Sequence, residues 1–247
     1  MLALALTVEF LIPWRRFPRF DWKHGAIAVL IALQGMILTS WLFGFAGIAG
    51  GFPTWNVNSG IFDYVGLPYW LMAVISFLLI DIFFYFRHRL MHRVPFFWRV
   101  HRTHHLDERI DVSTSVRFHP FEAVSVQGSD LLFVVLIGAP IEIYAVHLTA
   151  QMILGVIQHA NIKWPDRLDS LASKMIATPT IHRLHHANAD HLINSNYGTL
   201  LSVWDAMFGT RQYDAAVSRD CDFGLKNRGG TPDDSLGGLL LDPFRRV

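Results

Sequence analysis

Apolar runs lay out this chain before any motif does. Residues 26–48, AIAVLIALQGMILTSWLFGFAGI, run 23 positions without a charge, enough to cross a bilayer with some tilt. The Gly-, Pro- and Asn-rich stretch GGFPTWNVNSG follows and reads as a loop. A second apolar run covers residues 67–86 and is interrupted only by Asp81. A third covers 131–137 and a fourth 141–157, and Gly138-Ala139-Pro140 between them predicts a tight turn joining two helices. The opening MLALALTVEFLIPW is apolar but has neither a basic start nor a small-residue cleavage site. It reads as part of a membrane helix, short for a full span and partly interfacial, rather than a cleaved signal. After His159 the chain turns mixed and polar, and no repeat of fixed period is visible.

Charge placement orients these runs. Arg15, Arg16, Arg19 and Lys23 crowd the loop before the first long run, the loop at 49–66 carries Asp63 alone, and arginines are frequent after Phe86. The positive-inside rule puts the Trp-Arg-Arg loop, the histidine stretches and the C-terminal part on the cytoplasmic side. Two spans then separate Lys23 from Arg87, and two more separate Phe121 from His159. The expected fold is an all-α integral membrane bundle of about four transmembrane helices, with a histidine-rich helical cap at the cytoplasmic end.

Composition agrees. Hydrophobic residues make up 52% of the 247 and charged residues 17%, against roughly 25% charged in soluble domains. The net charge of +1 and the lack of a long basic tract give no argument for nucleic acid as a partner. Cys221 is the single cysteine, which excludes an internal disulfide and a cysteine-based zinc site. A metal here would need nitrogen and oxygen ligands.

The histidines supply that chemistry. Five fall within HRLMHRVPFFWRVHRTHH at 88–105, and three more in HRLHH at 182–186. On a helix His88 and His92 stand one turn apart on one face, and Asp81 and Tyr85 share it. His101 faces His104 and His105, and His182 faces His185 and His186, so each box is expected to aim two or three imidazoles at one point. Neutral imidazole suits iron, copper, zinc or nickel. Eight imidazoles exceed what one ion can use, so two metals are the natural reading. Asp81, a carboxylate inside an apolar run, is expected either to accept the N–H of a ligating histidine or to make a helix-packing hydrogen bond to a Tyr or Trp. Asn196 and Tyr197, close behind the third box, either support the site or shape a turn. Trp204, Asp205 and Phe208 are expected to dock the following helix. His147 lacks a box and reads as a core hydrogen-bonding residue, and His24 as interfacial.

The chain resembles the fatty acid hydroxylase/sterol desaturase superfamily of membrane-bound di-iron oxygenases over residues 70–210. The resemblance rests on the three boxes together with DIFFYFRHR, RFHPFE at 117–122, QHAN at 158–161 and the NYG…D…FGT pattern at 196–210. It implies His159 as a further ligand and His119 as a candidate; His191, five residues after the third box, is a candidate by position. It also implies two iron ions, which zinc can replace in vitro, and O2 as co-substrate. Two electrons would arrive from a cytochrome b5- or ferredoxin-type donor with its reductase, because the chain has no dinucleotide fingerprint and no haem-attachment motif. The product would be a hydroxylated or desaturated lipid: a sterol, fatty acyl chain, carotenoid or ether lipid. The working assignment is thus one membrane domain with metal ligands His88, His92, His101, His104, His105, His159, His182, His185 and His186 and catalytic candidates Asp81, Tyr85 and Asn196. Residues 211–247 form a tail with an amphipathic segment, and the protein would reside in a bacterial inner membrane or the endoplasmic reticulum. Two rival readings are a membrane zinc hydrolase, which would want a Glu inside a box, and a haem- or metal-binding protein without oxygenase activity.

Overall fold

The computed structural model describes residues 2–17, 21–50, 60–225 and 234–245. The loop expected over 50–60 falls largely outside the described residues, as do residues 226–233 of the expected tail. Helices follow in the order α1 (Leu2–Leu11), α2 (Trp22–Gly50), α3 (Tyr69–Arg93), α4 (Pro95–His105), α5 (Pro120–Ile137), α6 (Ile141–His159), α7 (Asp166–Ala172) and α8 (Pro179–His185). Short helices α9 (Asp190–Ile193), α10 (Val203–Met207), α11 (Ala215–Asp220) and α12 (Leu236–Leu241) complete the chain. Among the described residues there are isolated bridges but no strand. The protein is an all-α integral membrane bundle, as the apolar runs indicate.

Among the described residues four helices are long and apolar enough to span: Trp22–Gly44 of α2, then α3, α5 and α6, each with only 17–28% of its most apolar window buried inside the protein. The remainder, including Val29, Leu33, Met36, Ile37 and Trp41 on α2, faces outward and is exposed, the surface a bilayer would cover. α2 packs along α5, and α3 along α6. Ile80 and Phe84 of α3, Val134 and Ile137 of α5 and Tyr144 of α6 form the core between the spans. The α5–α6 turn falls where Gly138-Ala139-Pro140 puts it. Gly138 takes a left-handed φ of 72° that suits its missing Cβ, and Pro140 sets the entry to α6. α5 begins eleven residues before the apolar run that marks it, because its first half carries Glu122, Ser125, Gln127, Ser129 and Asp130.

Proline also separates α3 from α4. Val94, held extended before Pro95, ends one helix, and Pro95 starts the next at a position that needs no N–H. The chain thereby turns back at the end of a span and carries α4 under the bundle. The ten-residue α1 is not among the spans. Its Glu9 accepts the backbone N–H groups of Val112 and Asn161, at 2.8 and 2.6 Å, and so clips α1 beside the end of α6. The final helix, α12, buries Leu239 against Ile31, Leu106, Ile193 and Leu225. Arg102 of α4 clasps the following residues through Asp242, at 2.5 Å from Nε to Oδ2.

Candidate metal centre

The first and third boxes meet although 90 residues separate them in the sequence: the ring centroids of His88 and His185 are 4.6 Å apart. Four elements deliver the histidines. The last turn of α3 brings His88 and His92, α4 brings His101, His104 and His105, α6 ends on His159, and α8 with its C-cap brings His182, His185 and His186. They sort into two groups whose ligand atoms lie within 4.8 Å of one another, His88, His92, His101, His105 and His185 in one, and His104, His159, His182 and His186 in the other.

Within each HxxHH box two of the three imidazoles meet in one group, as the spacing leads one to expect. In each HxxHH the first and last histidines, four residues apart, serve one group, and the middle one serves the other. Residues i and i+4 lie about 40° apart around a helix, whereas i+3 falls on the opposite side of i. The two boxes are used in opposite senses: His101 and His105 join the five-histidine group and His104 the other, while His182 and His186 join the four-histidine group and His185 the first.

The nitrogen atoms show what the groups are built to hold. His88 Nδ1 donates to the Tyr197 carbonyl at 2.9 Å, and His101 Nδ1 to the Glu122 carboxylate at 2.6 Å. In the neutral ring the other nitrogen then has no proton. Yet His88 Nε2 and His101 Nε2 stand 3.2 Å apart, lone pair towards lone pair, with His105 Nε2 at 3.2 Å from the latter. A cation among them satisfies all of these at once. In the second group His159 Nδ1 donates to the Gly155 carbonyl at 2.7 Å, and its Nε2 faces His104 Nε2 at 3.2 Å and His182 Nε2 at 2.9 Å. His185 Nδ1 is likewise held by the Ser195 carbonyl at 2.7 Å, and its buried Nε2 has no protein partner. The residues present fit two imidazole-bound metal ions.

Burial reinforces this arrangement. Outside the spans, His104, His105, His182 and His186 are pushed well below the ordinary imidazole value by burial and by one another's charge, and burial takes His185 down to about 3. They remain neutral, the form that binds metal. Aromatic rings close the sides: Phe118 stacks on His104 at 4.6 Å, Trp98 packs on His92 at 5.0 Å, and Tyr197 packs on His92 at 5.3 Å.

A family model described as fatty acid hydroxylase matches residues 73–210. The chain belongs to the fatty acid hydroxylase family. Among curated relatives of this hydroxylase-family chain, human alkylglycerol monooxygenase is 32% identical over 136 residues, 55% of this chain and 29% of that protein. The zebrafish (Danio rerio) alkylglycerol monooxygenase is 30% identical over 157 residues, 60% of this chain and 33% of the relative. Ornithine lipid hydroxylase OlsE of Rhizobium tropici is 29% identical over 144 residues, 57% of this chain and 43% of the relative. The chain thus spans less than half the length of these relatives. No solved structure matches it.

Three residues expected to act in catalysis sit elsewhere in this family member. Asp81 meets no clustered histidine. Its Oδ1 pairs with His147 Nε2 at 2.9 Å, and its Oδ2 accepts the Trp204 indole N–H at 2.6 Å and the Leu201 N–H at 3.3 Å. Asp81 and His88 share a face of α3, but seven residues of helix place Asp81 about 10 Å deeper, where α3 meets α6 and the segment that carries Leu201 and Trp204. Tyr85 bonds through its hydroxyl to Thr210 at 2.9 Å and stacks on Phe208. Asn196 has a left-handed φ of 53°; its side-chain N–H donates to the Ile181 and Gln212 carbonyls, and its Oδ1 accepts from Gln212 N. It shapes the turn behind the third box. Asp205 docks its segment by accepting from the N–H groups of Tyr197 and Gly198.

Among the remaining histidines, His119 caps α5 by accepting from Phe121 N and reaches the Leu240 carbonyl of the tail, and His191 is exposed on α9. His147 is a buried hydrogen-bonding residue, as expected. His24, expected at the interface, pairs with Asp107 at 2.9 Å. Glu122 was missed: its carboxylate holds His101, the role anticipated for Asp81. The signal was an acid in the first turn of an apolar helix.

Proposed function

We propose that this protein is a membrane oxygenase that hydroxylates a C–H position of a lipid-like substrate, with two iron ions held by the two histidine groups. The observation that supports this best is the pairing of one five-imidazole and one four-imidazole group at a single end of a four-span bundle, in a chain of the fatty acid hydroxylase family. The relatives named for activity on alkylglycerols and ornithine lipids point to a substrate with a polar head and a long alkyl chain. The positive-inside rule puts the centre at the cytoplasmic end.

When bound, the irons supply O2 activation, and the net reaction joins a C–H bond, O2, two electrons and two protons into an alcohol and water. The protein does the rest. Carbonyls of Tyr197, Gly155 and Ser195 and the carboxylate of Glu122 fix which nitrogen of His88, His159, His185 and His101 points inward. Burial keeps the cap histidines unprotonated and ready to bind. Phe118, Trp98 and Tyr197 shield the ligand rings from water, which limits loss of the oxidant to side reactions. An apolar substrate enters from the bilayer, and electrons come from a separate donor protein. Hydrolysis finds little support, because the acid nearest the groups, Glu122, is engaged with His101 rather than free to activate water. Haem would use two opposed ligands, fewer than either group offers.

The test is turnover in liposomes. The iron-loaded protein is mixed with an alkylglycerol or an ornithine lipid, a chemical reductant and isotopically labelled O2. A product carrying one labelled oxygen supports the reading. Iron-loaded protein that consumes no O2 and leaves both lipid classes unchanged contradicts it.

A further inference from the structure

The two histidine groups differ in what stands behind their ligands. In the five-histidine group, three outer nitrogens are held: His101 by the Glu122 carboxylate at 2.6 Å, His88 by the Tyr197 carbonyl and His185 by the Ser195 carbonyl. In the four-histidine group only His159 has such a partner, the Gly155 carbonyl, while the buried Nδ1 atoms of His104, His182 and His186 have none. A hydrogen bond accepted from Nδ1–H fixes the ring and pushes electron density towards Nε2, and a carboxylate does so more strongly than a carbonyl. Glu122 is the only carboxylate bonded to a clustered histidine among the described residues. It lies 2% exposed at the first turn of α5, and its other oxygen, Oε2, is buried without a partner.

We propose that Glu122 is a positioning residue that makes the five-histidine group the tight metal site and leaves the four-histidine group the exchangeable one. This rests on the metal-centre reading above. His101 becomes the strongest donor in the molecule, in a group that already offers one more imidazole. The four-histidine group has fewer and less polarised ligands, and a six-coordinate ion there keeps more positions open to exogenous ligands. The two metals are therefore inequivalent before any substrate arrives: one is retained as a fixed structural and electronic anchor, and the other exchanges.

Zinc tests this without redox chemistry. The full chain in detergent is loaded with zinc, and its release to excess chelator is followed by a chromogenic indicator. The wild type is expected to hold about two zincs and to release them in two phases of equal size. Glu122→Gln keeps an acceptor oxygen but removes the charge. It should speed the slow phase about 10- to 100-fold and leave the fast phase unchanged, whereas a merely structural role would loosen both. His104→Ala should eliminate the fast phase and leave the slow one. Release in a single phase from the wild type, a Glu122→Gln protein with an unaltered slow phase or with both phases accelerated alike, or loss of the slow phase in His104→Ala would each overturn the ranking while leaving the two-metal centre intact. A wild-type chain that loads less than one zinc would overturn the metal-centre reading, and this inference with it.

Discussion

Asp81 of α3 and His147 of α6 face each other at 2.9 Å in the bundle interior, both side chains shielded from solvent. They join the two spans that carry His88 and His159 at their ends, and Trp204 ties the same carboxylate to the cap. The pair therefore holds the frame beneath the centre and does not take part in it. His147→Ala should leave metal content near that of the wild type and lower stability by about 1–3 kcal/mol, the cost of a lost buried hydrogen bond. Metal analysis alongside thermal unfolding in detergent checks both. A metal loss as large as that of a box variant would show that the centre extends deeper than drawn.

Single box variants should separate the two groups. His185→Ala removes one of five ligands from the first group, and His104→Ala one of four from the second. If the proposed reaction uses both ions, each variant abolishes turnover, and each should alter metal binding mainly in its own group. Full activity with unchanged metal in either variant would remove that histidine from the site.

Acid should destabilise the metal-free protein in a defined window. The cap histidines have folded-state values below the ordinary imidazole value of about 6.5, with His185 at about 3. Their contribution is therefore complete above about pH 6.5. It is lost as the pH falls towards the folded values, because the unfolded chain takes up protons that the folded one refuses. Each histidine can contribute up to about 1.4 kcal/mol per pH unit in that range. The midpoint of thermal unfolding of metal-free protein should fall steeply between pH 6.5 and 5 and stay nearly flat between 7 and 8. A flat profile across the whole interval would mean that the folded histidines titrate normally.

The tail should be fastened chiefly by one ion pair. Arg102 lies between His101 and His104 on α4 and bonds through Nε and a terminal nitrogen to the Asp242 side chain and carbonyl. Asp242→Ala strands a buried guanidinium and should cost about 3 kcal/mol, with earlier protease cleavage after residue 233. Unchanged protease resistance would show that Leu239 and its neighbours hold the tail without the ion pair.

Much of this was legible in the chain. The spans could be read because a bilayer demands long uncharged runs, and the clustering of the histidines because helical spacing puts i and i+4 on one face. What the sequence hid depends on contacts between helices. Glu122 reaches His101 only because the break at Val94-Pro95 turns α4 back under the start of α5. Asp81 shares a face with His88 but lies two turns deeper, and no one-dimensional pattern says that α6 waits there with His147. The division of each HxxHH between the two histidine groups follows from how α4 and α8 are placed, which spacing within a single box does not reveal. Asn196 was readable as a turn residue, and its positive φ bears out that half of the expectation.

The most direct measurement is iron stoichiometry on protein purified anaerobically from iron-supplemented cells, with zinc counted in parallel and an absorption spectrum recorded. About two irons per chain without haem absorbance is the expected result, one for each histidine group. Fewer than one metal ion of any kind per folded chain, or a haem spectrum, would contradict the claim that these imidazoles assemble to hold an oxygen-activating pair.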